Sequence, residues 1–295
     1  MDLKVLRYFL TVVREESITA ASEFLHLTQP TLSRQLSALE EELGVTLFIR
    51  GSRKITLTDE GMLLRKRAEE ILELVHKTEA EFLFAQELVH GDIYVGCGET
   101  HAMSLVVQII REMREEYPNI RVHIYSGDAD EVIERINKGL LDFGVLISPE
   151  DLTNFESLRL PNKNKWGVLM RKDSLFASLE CITPEILLDM PLICARQRDV
   201  DKKVTKWVGV DYKKLNIVST YNLIFNAALM VENGIGNALC LDGLVSTSEE
   251  CLLCYRPLSP ELGVDIHIVW KKYRTLSKAA EVFLGRLKAA CQSFT

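Results

Sequence analysis

The fold turns on one stretch, SITAASEFLHLTQPTLSRQLSALEEELG, residues 17–44. Ser17 is placed to cap a short helix from Ile18 to about Leu25, in which Ala20 and Ala21 permit close helix contact. A tight connection at His26 and Leu27 follows. Thr28 can cap a longer helix whose first turn tolerates Pro30, because the first amides of a helix have no partners within it. Gly44 fits the end of that helix. At about 100° per residue, Leu32, Leu36, Leu39 and Leu43 fall within a narrow arc, which leaves Pro30, Ser33, Arg34, Ser37 and Ala38 on the opposite face. A lone exposed arginine is ordinarily just solvated. Two helices joined by a tight turn give Arg34 a sharper reading, since the second helix of a helix-turn-helix enters the major groove and its N-terminal residues approach base edges. Glu40, Glu41 and Glu42 at the far end would repel phosphate, so only the first two turns can sit deep in a groove.

The flanks extend this pattern. Leu3, Leu6, Phe9, Leu10 and Val13 recur at three- and four-residue intervals, which predicts an amphipathic helix over Asp2–Glu15. Downstream, VTLFIRGSRKITL (residues 45–57) holds two β-prone runs around Arg50, Gly51, Ser52, Arg53 and Lys54, a hairpin with a basic tip. Such a tip is most often a solvated turn; directly after a helix-turn-helix it reads as a wing over the phosphate backbone.

Thr58 then precedes Asp59, Glu60 and Gly61, an acidic helix start. Leu64, Ala68, Ile71, Val75, Thr78, Phe82, Ala85 and Val89 follow at alternating intervals of four and three, a heptad seam. The seam favours pairing with another subunit, with packing on the helix's own domain as the alternative.

Whole-chain properties set the frame. A chain of 295 residues exceeds the usual size of one core, so at least two domains are expected. The 47 % hydrophobic and 26 % charged composition is that of an ordinary soluble protein, and no apolar run approaches the roughly 20 residues that cross a bilayer. No membrane partner is expected. The net charge of −7 argues against general nucleic-acid affinity, so any DNA contact must be local. Seven scattered cysteines suit a reducing compartment, and the first sixteen residues, interrupted by Lys4, Arg7 and Arg14, lack the features of an export signal. Both point to the cytoplasm.

ITAASEFLHLTQPTLSRQLSALEEELGVTLFIR followed by ITLTDEG closely resembles the DNA-binding pattern of the LysR family. The likeness is strong over about the first sixty residues and rests on length, element order and weaker motifs beyond them. It implies a two-domain chain of mixed α+β and α/β class: a winged helix-turn-helix (1–58), a long linker and dimerisation helix (59–90), and a two-lobed effector domain like periplasmic binding proteins (91–295). It also implies operator DNA, a small-molecule effector and a homodimer or homotetramer, and it allows RNA polymerase as a further partner. By this likeness Gln29, Pro30, Thr31, Ser33 and Arg34 lie in the operator groove, flanked by Thr28 and Ser37, while Arg50 precedes a wing tip formed by Arg53 and Lys54. Leu64, Ala68, Ile71, Val75 and Phe82 would carry dimerisation.

From Gly91 the rhythm is α/β. DIYVGC, NIRVHIYS and FGVLI read as strands, with helices around Leu105–Glu116 and Val132–Lys138. A second set follows from about Lys165: WGVLM, PLICA, LNIVS and NALCL, with helices near Pro184, Lys202 and Leu223. VDIHIVW and a helix from about Ser277 to Cys291 would return to the first lobe, as the family's topology implies. Lobe one is then about 91–161 and 264–295, and lobe two about 162–263, with crossings near Pro161 and Gly263. Ligands of open α/β sheets bind beyond the carboxyl ends of strands. That rule selects Thr100, His101 and Ser126 on one lobe and Arg196, Gln197 and Asn222 on the other. Thr100 and Asn222 can equally be helix caps, and His101 a surface histidine. Free amides at the helix start after Thr100, together with Arg196, suggest a small anion such as a carboxylate; Glu99 and Asp128 nearby count against it.

No GxSxG elbow, glycine-rich phosphate loop, HExxH or catalytic His and Asp spacing is present, so an enzyme is not expected, nor is a cofactor. A transport binding protein would share the second fold but not the helix-turn-helix. Cys251 and Cys254 form a CxxC in an apolar, strand-like run that would set the thiols on opposite faces, and no second pair completes a zinc site.

Overall fold

The computed structural model describes residues 1–50, 54–83, 89–149, 151–161, 164–195, 198–211 and 214–292. Two compact units divide the chain, Met1–Ala85 and Gln86–Thr295.

The first unit contains α1 (Leu3–Glu15), α2 (Ile18–Phe24), α3 (Gln29–Leu43), β1 (Phe48–Arg50), β2 (Ile55–Leu57) and α4 (Asp59–Leu83). Local chemistry sets each boundary. The Asp2 carboxylate accepts from the Lys4 amide, the Ser17 hydroxyl from Ala20 and the Thr28 hydroxyl from Thr31, so each helix starts on a side chain that satisfies an amide the helix cannot. Gly44 closes α3 at φ +69°, a left-handed conformation that glycine adopts without strain. Leu6, Phe9, Val12, Ala21, Leu32, Leu36 and Leu39 meet in one core, each of the side chains larger than alanine contributing roughly 1.5–3 kcal/mol by its burial. Leu43, expected within that stripe, is exposed at the last residue of α3. Gly61, in the first turn of α4, lies where an added Cβ would run into the Leu47 carbonyl oxygen.

The heptad seam divides differently from expectation. Ala68 is fully buried in the core of its own unit, with Leu64 and Ile71 packed against the same cluster. A side chain with no exposed surface cannot meet a second subunit, so Ala68 leaves the dimerisation set. Val75 is half-buried and Thr78 exposed. The Phe82 side chain and residue Ala85 lie outside the described residues, and Val89 packs against the core of the second unit.

The second unit contains two sheets. The first has strand order β4-β3-β5-β13-β6, from β3 (Gly91–Cys97), β4 (Ile120–Ser126), β5 (Phe143–Ile147), β6 (Phe155–Arg159) and β13 (Ile266–Lys271). Its helices are α5 (Met103–Glu116), α6 (Ala129–Asn137) and α10 (Lys278–Gln292). β3 runs parallel to β4 and β5, whereas β13 pairs antiparallel with β5 and β6, as a late strand returning to an earlier sheet must when it enters from the opposite end. Phe143 and Phe283 anchor α10 on this sheet, with ring centroids 5.1 Å apart.

The second sheet has order β11-β7-β10-β8-β9, from β7 (Asn164–Arg171), β8 (Leu192–Ala195), β9 (Ile217–Tyr221), β10 (Asn237–Leu241) and β11 (Leu253–Pro257), with β12 (Gly263–Val264) paired to β7. α7 (Pro184–Leu188), α8 (Arg198–Val208) and α9 (Ile224–Glu232) complete this lobe. β10 is buried along its whole length, the pattern of a central strand covered on both faces. The chain crosses between sheets from β6 to β7 and from β12 to β13. Cys254 sits in β11, but Cys251 precedes the strand, so the CxxC is split between a turn and a strand instead of alternating along one.

Candidate functional site

α3 presents a polar face because its leucines face inward. Leu32, Leu36 and Leu39 are 0 %, 3 % and 2 % exposed, while Thr28, Gln29, Pro30, Thr31, Arg34 and Ser37 are exposed and Ser33 is half-buried. Thr28 and Thr31 share a 2.8 Å hydroxyl contact, which fixes the first turn. Glu40 behaves differently from its acidic neighbours. Its carboxylate turns inward and accepts from the Leu47 amide at 2.7 Å and the Phe48 amide at 3.4 Å, pegging the hairpin to α3.

The hairpin pairs Phe48 with Leu57 and Arg50 with Ile55 in antiparallel register. Lys54 is paired with Glu16, and the Glu16 carbonyl accepts from the Ile55 amide at 3.0 Å. The second strand of the wing is therefore tied to the end of α1, with one of the wing's cations already matched. Arg53 and the Arg50 side chain lie outside the described residues.

In the second unit, the turn after β3 meets the other lobe at several points. Thr100 is 5 % exposed and its hydroxyl donates to Asn164 Oδ1 at 2.6 Å; Asn164 Nδ2 donates to Asp242 Oδ1 at 2.8 Å. The same Asp242 oxygen accepts from the Lys165 amide at 3.0 Å. His101 packs close to Gly243, where an added Cβ would come within 3.4 Å of the ring. The Glu99 carboxylate accepts from the Ile224 amide at the start of α9. Strand ends from both lobes thus converge on the segment Glu99–His101.

The amides that would favour an anion at the start of α5 are already engaged. The amides of Ala102, Met103 and Ser104 are taken by Thr100 Oγ1, the Thr100 carbonyl and the His101 carbonyl. The start of α5 offers these amides to its own turn instead of to an anion. Asp128 caps α6 through the Glu131 amide at 2.9 Å, so its charge is also engaged. Ser126 ends β4 beside Cys97, whose buried thiol is pushed up by desolvation and drawn partly back by a hydrogen bond with Ser126. Asn222 Oδ1 accepts from the Leu223 amide at 3.0 Å, a local turn contact. Arg196 and Gln197 lie outside the described residues. Sequence reasoning did not select Asn164 or Asp242. Asp242 directly follows β10 and obeys the strand-end rule that selected the others.

Among the described residues no cluster of His, Cys, Asp and Glu is arranged to hold a metal ion, and no helix is long and apolar enough to cross a membrane.

Comparison with known proteins agrees with both halves of this description. Residues 3–62 match the family model for the bacterial regulatory helix-turn-helix protein, lysR family, and residues 86–292 match the LysR substrate binding domain. The HTH-type transcriptional regulator BsdA of Bacillus subtilis (strain 168) is 37 % identical over 164 residues, about half of each chain (54 % of this one and 55 % of BsdA). The uncharacterized HTH-type transcriptional regulator YwbI of the same organism is 30 % identical over 292 residues, covering 98 % of this chain and 96 % of its own. The crystal structure of full-length CbnR complexed with its target DNA shares the fold at a TM-score of 0.77, with 18 % identity and full coverage of both chains. A helix-turn-helix with a wing, joined in one chain to a two-lobed α/β domain that matches the family along nearly its whole length, makes this protein a member of the LysR family of DNA-binding transcriptional regulators.

Proposed function

We propose that α3 reads operator DNA from the major groove with Thr28, Gln29, Pro30, Thr31, Ser33, Arg34 and Ser37, while the hairpin with Arg50, Arg53 and Lys54 follows the phosphate backbone. The observation that carries this reading is the split of α3 into a buried leucine stripe and an exposed polar face headed by a capped, proline-containing first turn. That arrangement leaves Arg34 free to reach a guanine edge, the commonest specific contact of an arginine in the groove. The CbnR complex with target DNA supports the same docking by analogy of fold.

The cleft between the two sheets of the second unit is the effector site in this reading. Thr100, His101, Ser126 and Asn222, with Arg196 and Gln197 chosen by the same strand-end rule, are its candidate contacts. The polar chain from Thr100 through Asn164 to Asp242 supports it, because a buried network joining two lobes can be re-formed or broken by a bound molecule. Self-association would use the outer surface of α4, where Leu63 and Leu74 are exposed apolar residues and Val75 lies half-buried. A protein that acts on operator DNA would work in the cytoplasm, with RNA polymerase as the further partner that the family resemblance allows.

Genome-wide footprinting of bound sites tests the function directly. A few discrete, pseudo-palindromic sites beside metabolic genes are expected, and uniform binding without a shared motif would contradict operator recognition.

A further inference from the structure

α9 begins Ile224-Phe225-Asn226 with no acidic residue in its first turn and no side-chain cap from Leu223. Other described helix starts are satisfied from nearby in the chain: α6 has Asp128, Asp130 and Glu131, α4 has Asp59 and Glu60, and α5, which also lacks an acidic first turn, turns its first amides onto Thr100 and His101. A helix start carries partial positive charge and amides without helical partners, so it favours an anion. At α9 the anion comes from the other lobe, because the Glu99 carboxylate accepts from the Ile224 amide across 125 positions of sequence. Thr100 and His101, the next two residues, also contact the second lobe, at Asn164 and Gly243.

We propose that Glu99 is a built-in carboxylate latch: it fills the anion-accepting start of α9 in the cleft and holds the two lobes together. The inference deepens the effector-cleft reading and rests on it. Its consequence is a constraint on ligand class. A carboxylate effector seated at α9 must displace Glu99 and thereby release the lobes, whereas a ligand that keeps the latch closed must bring hydrogen-bond donors to the Glu99 carboxylate, as an amine, amide or guanidinium does. Either route couples occupancy to lobe arrangement through one named contact.

The test is hydrogen–deuterium exchange at the Ile224 amide in the full chain, for wild type, Glu99→Ala and Glu99→Gln, with sodium acetate as probe against matched sodium chloride. Wild type should protect this amide and ignore acetate. Glu99→Ala should exchange about tenfold faster, since a hydrogen bond to a charged acceptor is lost, and acetate should restore part of that protection where chloride does not. Glu99→Gln keeps a neutral acceptor and should fall between them, which preserves the test if the alanine variant loosens the fold. Unchanged exchange in both variants would overturn the latch. Loss of protection that acetate fails to restore would overturn the anion-site assignment. Failure of the cleft as effector site is distinguishable: exchange would follow the predicted order, yet neither variant would alter how operator affinity responds to an effector found by genetic context.

Discussion

The Thr100 hydroxyl donates to Asn164 Oδ1 at 2.6 Å across 64 positions of sequence, with both residues buried. This bond joins the turn after β3 to the first residue of β7, where the chain enters the second lobe. Thr100→Val keeps the shape and removes the donor, leaving a buried carbonyl oxygen unpaired. The expected cost is about 1–3 kcal/mol of unfolding free energy in the second unit, read from urea denaturation. An unchanged midpoint would show that the network contributes no stability.

The Glu16 pairing with Lys54 sets up a gain-of-affinity prediction. Glu16→Gln removes the carboxylate and returns a cation to the wing. Non-specific DNA affinity should rise a few-fold at low salt, and the slope of log affinity against log salt should steepen by about 0.9, the value for one added phosphate contact. A slope equal to wild type would place Lys54 off the DNA.

α4 carries a pair of opposed expectations. Leu74 is 40 % exposed, so Leu74→Asp should yield folded monomers by sedimentation, with reduced operator affinity. Ala68 is fully buried, so Ala68→Asp places an unpaired charge in the core and should cost several kcal/mol, about 3 or more, of first-unit stability. A folded dimer from Leu74→Asp would remove that surface from the subunit contact.

Thiol chemistry separates the cysteines by environment. Hydrogen bonding with Ser246 and Ser248 draws the Cys251 thiol below its ordinary value. Complete burial pushes Cys240 up to about 12. The nucleophile that iodoacetamide alkylates is the thiolate, so a lowered value increases it at neutral pH and a raised one suppresses it until strongly alkaline pH. Iodoacetamide at pH 8 should label Cys251 ahead of Cys240, with Cys240 reacting only on unfolding, as peptide mass spectrometry would show. Early labelling of Cys240 would contradict its buried position.

What the sequence made legible was local. The caps Ser17 and Thr28 and the leucine stripe of α3 act within a few residues, so periodicity and propensity expose them directly. Strands such as NALCL announce themselves by continuous apolar burial. The cleft is harder to read because its contacts join residues far apart: Glu99 and Ile224, or Asn164 and Asp242, share no local pattern. α4 shows a further limit. A heptad seam tells which face is apolar, but Ala68 is covered by the helix's own unit, a choice set by tertiary packing that spacing alone leaves open.

The most direct test of the account is Arg34→Ala titrated at fixed salt against operator and scrambled DNA of equal length. Arg34 lies on the exposed face of α3, opposite buried Leu32, Leu36 and Leu39, and its reading as a base contact depends on that placement. Operator affinity should fall by about 1–3 kcal/mol while scrambled DNA loses much less, because a base-edge contact carries discrimination and a phosphate contact does not. Equal losses on both DNAs, or none on the operator, would contradict α3 as the reader of sequence.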